Sequence, residues 1–123
     1  SHAMELVGSF AAFGDEVSIS VGDQSTIASA SILINATSVG MNSSDMPVDT
    51  SVLHNRLTVL DAVYSPLETS LLSAARSAGA TVVDGLWMLI HQARHQQKLW
   101  FGEFSDASAM RLAAERELSA RRK

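Results

Sequence analysis

Four short apolar stretches punctuate this chain, and segments with helical spacing separate most of them. In residues 16–21, Val17, Ile19 and Val21 alternate with Ser18 and Ser20, a period of two that predicts a strand ending at Gly22-Asp23. Residues 32–37 open as the run Ile32-Leu33-Ile34 and close on small polar residues. An apolar run bounded by turn residues predicts a strand buried on both faces. Residues 57–63 predict a third strand and residues 80–83 a fourth. Leu6, Phe10 and Phe13 recur at i, i+4 and i+7, with Gly14 following, so residues 5–13 predict a short helix closed by a C′ glycine. Residues 24–30 read as a short helix or turn. Residues 40–49, rich in Ser, Asn and Asp and containing Pro47, read as a loop, and residues 48–53 add one helical turn.

Ser65-Pro66-Leu67-Glu68 has the form of a helix start. Ser65 is placed to cap, Pro66 fits the first helical position, and Glu68 is three residues past the cap, where it can return a hydrogen bond. Leu67, Leu71, Ala74, Ala75 and Ala78 share the apolar face of that helix, and Gly79 ends it. Asp84-Gly85 turns the fourth strand into a long helix over 86–101, with Leu86, Leu89, Ile90, Ala93 and Trp100 toward the core. A last helix, 106–121, is capped by Ser105 and carries Met110, Ala113, Ala114 and Leu118. Its basic end, Arg121-Arg122-Lys123, suits a helix C-terminus. Strands alternating with helices predict an α/β layered fold with a mostly parallel sheet and right-handed crossovers.

Composition narrows this picture in a few places. At 123 residues the chain suffices for one domain with a real core. The formal charge of −4 gives no electrostatic case for nucleic acid. No apolar run approaches the roughly 20 residues that span a bilayer. The absence of cysteine excludes disulfides and thiolate metal sites and suits a reducing, cytoplasmic setting. Ser1-His2-Ala3-Met4 reads as vector-derived, with Met4 an engineered start.

Candidate chemistry gathers where strands end. In open α/β sheets ligands lie past the carboxyl ends of strands, which draws attention to residues 35–41 and 61–66. Tyr64 ends a strand, and by type alone it is a half-buried packing tyrosine. Gln92 lies one turn after Met88 and two after Gly85, so a helix puts all three on one face; taken alone it is a surface glutamine. Asp61 is either a carboxylate facing a cleft or an acceptor for a backbone N–H, the structural role being favoured. Gly85 most simply permits a tight strand-to-helix turn. His91 and His95, at i and i+4, lack the Glu of a His-Glu-x-x-His site, so no metal is expected. Ser38 has no His/Asp partner at a motif spacing, so it is no nucleophile.

Three segments together resemble one known family. Asn35-Ala36-Thr37-Ser38-Val39-Gly40-Met41 resembles the Asn-Ala-Thr-(Ser/Pro)-x-Gly-Met signature of shikimate dehydrogenases. Asp61-Ala62-Val63-Tyr64-Ser65-Pro66, followed by Thr69 and Leu71-Leu72, is similar to that family's Asp-x-x-Tyr-x-Pro-x-x-Thr-x-Leu-Leu. Asp84 to Gln92, closed by Trp100-Phe101-Gly102, is similar to its Gly-Leu-x-Met-Leu-x-x-Gln and Trp-x-Gly ending. Quinate/shikimate dehydrogenases share these segments. The resemblance implies a partial Rossmann-like, three-layer cofactor domain over 5–104 and a C-terminal helix over 105–123. It implies an NADP- or NAD-dependent oxidoreductase interconverting 3-dehydroshikimate and shikimate in the chorismate pathway. It places Tyr64 and Gln92 against the substrate, and Thr37, Ser38, Ala62 and Gly85 against the cofactor.

The chain also departs from the family. Its glycines, at 8, 14, 22, 40, 79, 85 and 102, are too far apart to form the family's glycine-rich phosphate loop. The Asn-Arg-Thr segment of NADP-preferring members is absent, and so is the amino-terminal domain with its proton-transferring Lys and Asp. Residues 5–14 align with a helix well inside the cofactor domain. The expectation is therefore a truncated piece that is catalytically inactive by itself, binds the cofactor weakly or not at all, and contains no catalytic residue. Two other readings are a fragment that self-associates through its sheet edge and C-terminal helix, and a one-domain nucleotide-binding regulator.

Overall fold

The computed structural model describes residues 2–10 and 18–121. Its elements are α1 (His2–Phe10), β1 (Ile32–Asn35), β2 (Thr58–Asp61), α2 (Ser70–Ser77), β3 (Thr81–Val83), α3 (Gly85–Phe101) and α4 (Ala107–Arg121), with short 3-10 turns at Gln24–Ser29 and Thr50–Val52. The strands form one parallel sheet in the order β1-β2-β3. The architecture is the expected α/β class, and β2-α2-β3 is its βαβ unit.

Register explains which residues meet. Leu33 pairs with Val59 and Val59 with Val82, so these three share one face. On that face lies the core: Leu53, Leu57, Val59, Leu71, Leu72, Ala75 and Ala80, with Leu33, Val82, Ala74 and Ala78 packed against it. Helix α2 contributes Leu71, Leu72 and Ala75, which it buries fully. Ile34, Leu60 and Val83 share the opposite face. Leu60 and Val83 are half-buried there, and Val63, Leu86 and Ile90 are buried.

Several expectations are corrected. β1 is not buried on both faces, because Ile32 and Ile34 are 63% and 59% exposed. Among the described residues the run lies in an edge strand whose second face nothing covers, so apolar character alone misstates its burial. The expected strand at 16–21 is not seen over 18–21, where Ile19 and Val21 are exposed. Among the described residues the sheet stops at β1, and residues 18–21 pair with no strand of it. Residues 16–17, Phe13 and Gly14 lie outside the described residues. Helix α1 starts at His2, inside the stretch read as vector-derived, and buries none of its residues.

Helix α2 begins at Ser70 rather than next to Ser65. Its cap is Thr69, whose hydroxyl accepts the amide of Leu72, and Glu68 pairs instead with Arg76 at 3.3 Å. The Ser65–Pro66 peptide is cis. On α3, Leu86 and Ile90 are buried as expected, but Leu89 and Trp100 are 42% and 70% exposed. Gly102 closes α3 at φ 82°, donating to the carbonyl of Lys98. The start of α4 is capped by Asp106, not Ser105: the Asp106 carboxylate accepts the amide of Ala109. Met110, Ala114 and Leu118 are half-buried along α4, whereas Ala113 is exposed.

Candidate functional site

Strands β1 and β2 run parallel, so their carboxyl ends bring residues 36–42 and 62–65 to the same edge of the sheet. Between them is a cavity of about 150 Å³ lined by Thr37, Met41, Asn42, Ala62, Val63, Tyr64 and Ser65. Its lining has hydroxyl and amide groups but no charged side chain. Pockets for drug-sized ligands run to roughly 300–1,000 Å³, so this space takes only part of such a ligand.

The loops are held from beneath by buried polar groups. Asn35 and Asp61 are register partners, two residues past Leu33 and Val59, and therefore on the core face. They are 4% and 0% exposed. The Asn35 side-chain amide donates to Asp61 Oδ1 at 2.9 Å and to the carbonyl of Val39 at 3.1 Å. Its oxygen accepts the Thr37 amide at 3.1 Å and the Thr37 hydroxyl at 2.7 Å. Asp61 Oδ1 also accepts the Val63 amide at 3.0 Å, and Oδ2 accepts the Thr69 hydroxyl at 2.6 Å. Of the two roles open to Asp61, its geometry shows an acceptor for a backbone N–H, turned inward.

The remaining neighbour is the start of α3. Gly85 is buried, and a Cβ there would stand 2.5 Å from the Ala62 carbonyl oxygen and 2.7 Å from that of Val63. Only glycine allows this approach. Asp84 caps α3 by accepting the amides of Leu86 and Trp87. Arg111 of α4 grips the same carboxylate with two nitrogens, at 2.9 and 2.8 Å, and lies 4.6 Å over the Trp87 ring. Hydrogen bonding to Asp84, helped by Glu115, holds the Arg111 guanidinium above its ordinary value.

Of the six residues named from sequence, Thr37, Ala62 and Tyr64 line the cavity. Gly85 supports its floor through the Ala62 and Val63 backbone. Ser38 is exposed in the turn closed by its carbonyl and the Met41 amide, outside the lining. Gln92 is exposed on α3 and is not a lining residue. Met41, Asn42, Val63 and Ser65 were not named as site residues. The only legible signal for Asn42 was its residue type in a polar loop; in the structure it adopts φ 55°, a conformation that asparagine tolerates. Among the described residues no three metal-ligating side chains converge. His91 lies against Trp87, and His95 meets the edge of Phe104. Among the described residues, no helix is long and apolar enough to cross a membrane.

No protein-family model matches the chain. A shikimate dehydrogenase (NADP(+)) of Haloarcula marismortui is 50% identical to it over 84 residues, covering 68% of this chain and 32% of that protein. A quinate dehydrogenase from Corynebacterium glutamicum, solved in complex with NAD, superposes with a TM-score of 0.78 at 38% identity over 89% of this chain and 40% of the other. The relatives this chain matches include shikimate and quinate dehydrogenases. The shikimate 5-dehydrogenase from Thermus thermophilus, in complex with NADP(H) and shikimate, matches at a TM-score of 0.73 and 34% identity, over 77% of this chain and 37% of that one. The chain spans about a third of the length of the curated shikimate dehydrogenase it matches.

These oxidoreductases make a nicotinamide cofactor the group to test against the geometry. The fit is partial. An uncharged, ring-sized cavity at two parallel strand ends, with a glycine pressed behind it, suits the nicotinamide end. The diphosphate end finds no match, because no two glycines of the chain are close enough in sequence to make a phosphate loop.

Proposed function

We propose that this chain forms the nicotinamide side of the active site of an NADP- or NAD-dependent shikimate dehydrogenase. The carrying observation is the cavity at the ends of β1 and β2, lined by Thr37, Ala62 and Tyr64, within a segment half-identical to such an enzyme. When bound, the nicotinamide ring would supply or accept a hydride at the C3 carbon of the substrate. Thr37 and Ala62 shape the wall that holds the ring, Gly85 supports it through close backbone packing, and Ser38 lies in the adjoining turn outside the lining. Tyr64 and Gln92 face the substrate from the cofactor side. The proton that accompanies the hydride moves through a general acid/base outside this chain, and other parts of the parent enzyme cradle the diphosphate. The chain alone is inactive.

A chimera tests this reading. Residues 32–102 replace the matching segment of the Haloarcula enzyme, and shikimate oxidation is followed with NADP and then with NAD. The expected result is turnover by the chimera and none by the isolated 123-residue chain. A folded chimera without turnover would sink the assignment, and turnover by the isolated chain would overturn its proposed inactivity.

A second reading is favoured by the surface. Ile32 and Ile34 lie exposed on the edge strand, and Leu99, Trp100 and Phe101 are 84%, 70% and 74% exposed at the end of α3. Such apolar surface on an unpaired sheet edge favours self-association. Light scattering across a concentration series is expected to show oligomers; a strict monomer throughout would remove this reading.

A further inference from the structure

We infer that Asn35, Asp61 and Thr69 are positioning residues that lock the two cavity-lining loops and the start of α2 into one mechanical unit. The inference rests on the proposed nicotinamide wall for its functional meaning, but the coupling itself stands on geometry alone. All three residues are buried, at 4%, 0% and 1% exposure. They form a continuous chain of hydrogen bonds from the Thr37 amide and hydroxyl, through Asn35 and Asp61, to Thr69, which in turn accepts the Leu72 amide. One branch leaves Asn35 for the Val39 carbonyl, and another brings the Val63 amide to Asp61.

The donor and acceptor directions make the arrangement specific. Asp61 receives a side-chain amide, a backbone amide and a hydroxyl, and all three are donors. An acceptor-only carboxylate satisfies them together. An asparagine at 61 that kept its carbonyl oxygen toward Asn35 and Val63 would point its N–H groups at the Thr69 hydroxyl, which would have to turn from donor to acceptor. The Thr37 hydroxyl proton is committed to Asn35, and its oxygen also accepts the Val39 amide. Thr37 therefore has no hydroxyl proton free to donate to a ligand and serves the cavity as a fixed wall. Gly40, at φ 93°, closes the packing with its Cα side near Thr69 and the Asp45 carbonyl.

Hydrogen exchange on the purified full chain, without ligand, tests this. The amides of Thr37, Val39 and Val63 report on the network, because each donates to one of its side-chain oxygens. Ile90 in α3 reports on the rest of the fold. Thr69→Val is expected to speed exchange at Thr37, Val39 and Val63 about five- to tenfold relative to Ile90, the scale of one lost hydrogen bond, and Thr69→Ser is expected to restore it. Thr37→Val, at the exposed end of the network, tests the reverse direction and does not threaten folding; it is expected to speed exchange at Val63 relative to Ile90. Changes confined to Leu72, or shared equally by Ile90, would overturn the coupling. A parallel titration of the unmodified chain with nicotinamide mononucleotide separates the two claims. Absence of shifts at Tyr64 and Asn42 would count against the nicotinamide wall and leave the exchange result standing.

Discussion

Gly85 and Arg111 show how far a single side chain governs this molecule. A methyl group at position 85 would have to enter space already held by backbone carbonyls of residues 62 and 63. Backbone cannot give way as a flexible side chain can, so Gly85→Ala is expected to cost about 1–3 kcal/mol in urea unfolding and to shift the Ala62–Tyr64 resonances first. Arg111 is expected to matter comparably. It makes two bonds to Asp84 and one to Glu115, at a largely buried position. Arg111→Ala should lose about 1.5–3 kcal/mol by the same measurement. Arg111→Lys should recover less than half of that, because an ammonium cannot span both carboxylate oxygens or stack on Trp87. The glycine was legible in the sequence as a strand-to-helix turn. The arginine was not, because its partner lies 27 residues away and only the folding of α4 onto α3 brings them together.

The short 3-10 turns depend on local carboxylates, and their pH response follows from that. Asp23 is held below its ordinary value by the Ser25 hydroxyl and amide, and Asp49 by the Ser51 amide and hydroxyl. Each folded-state value lies below the unfolded one. The stabilisation is therefore complete above the ordinary value near 3.8 and is lost as pH falls through the depressed value. Acidification from pH ~5 to ~2 is expected to shift the Ser25 and Ser51 amide resonances together with turn unfolding, and Asp23→Asn should abolish that response at Ser25 alone. A resonance at Ser25 that moves equally in the variant would refute the assignment. Strand and helix order was readable because apolar spacing is local. Helix starts were less so. Ser65 and Thr69 are both plausible caps by residue type, and the choice fell to Thr69 because the Asp61 carboxylate, eight residues earlier, holds its hydroxyl in place.

Across the whole molecule, the asymmetry between the two faces of the sheet dominates. One face is sealed by α2, while β1 leaves Ile32 and Ile34 in the open. If that edge drives association, Ile32→Lys with Ile34→Lys should return the chain to a monomer in light scattering. Its unfolding midpoint should change little, since neither residue belongs to the core. Oligomers that persist in the double variant would move the interface elsewhere, with the exposed Trp100 and Phe101 next to be tested.

Local spacing and residue type were enough to establish the α/β class, the parallel β2-α2-β3 unit, the loops at the strand ends and the position of Gly85, because each depends on neighbours within a few residues. Three segments in a set order were enough to point to the shikimate dehydrogenase relatives. Tertiary packing was needed to turn Asp61 inward onto Asn35 and Thr69, to leave Gln92 outside the cavity lining, to bring Met41 and Asn42 beside Tyr64, and to expose half of an apolar strand. Those outcomes turn on which residues far apart in the chain come within hydrogen-bonding distance, and on which sheet face finds a helix to cover it.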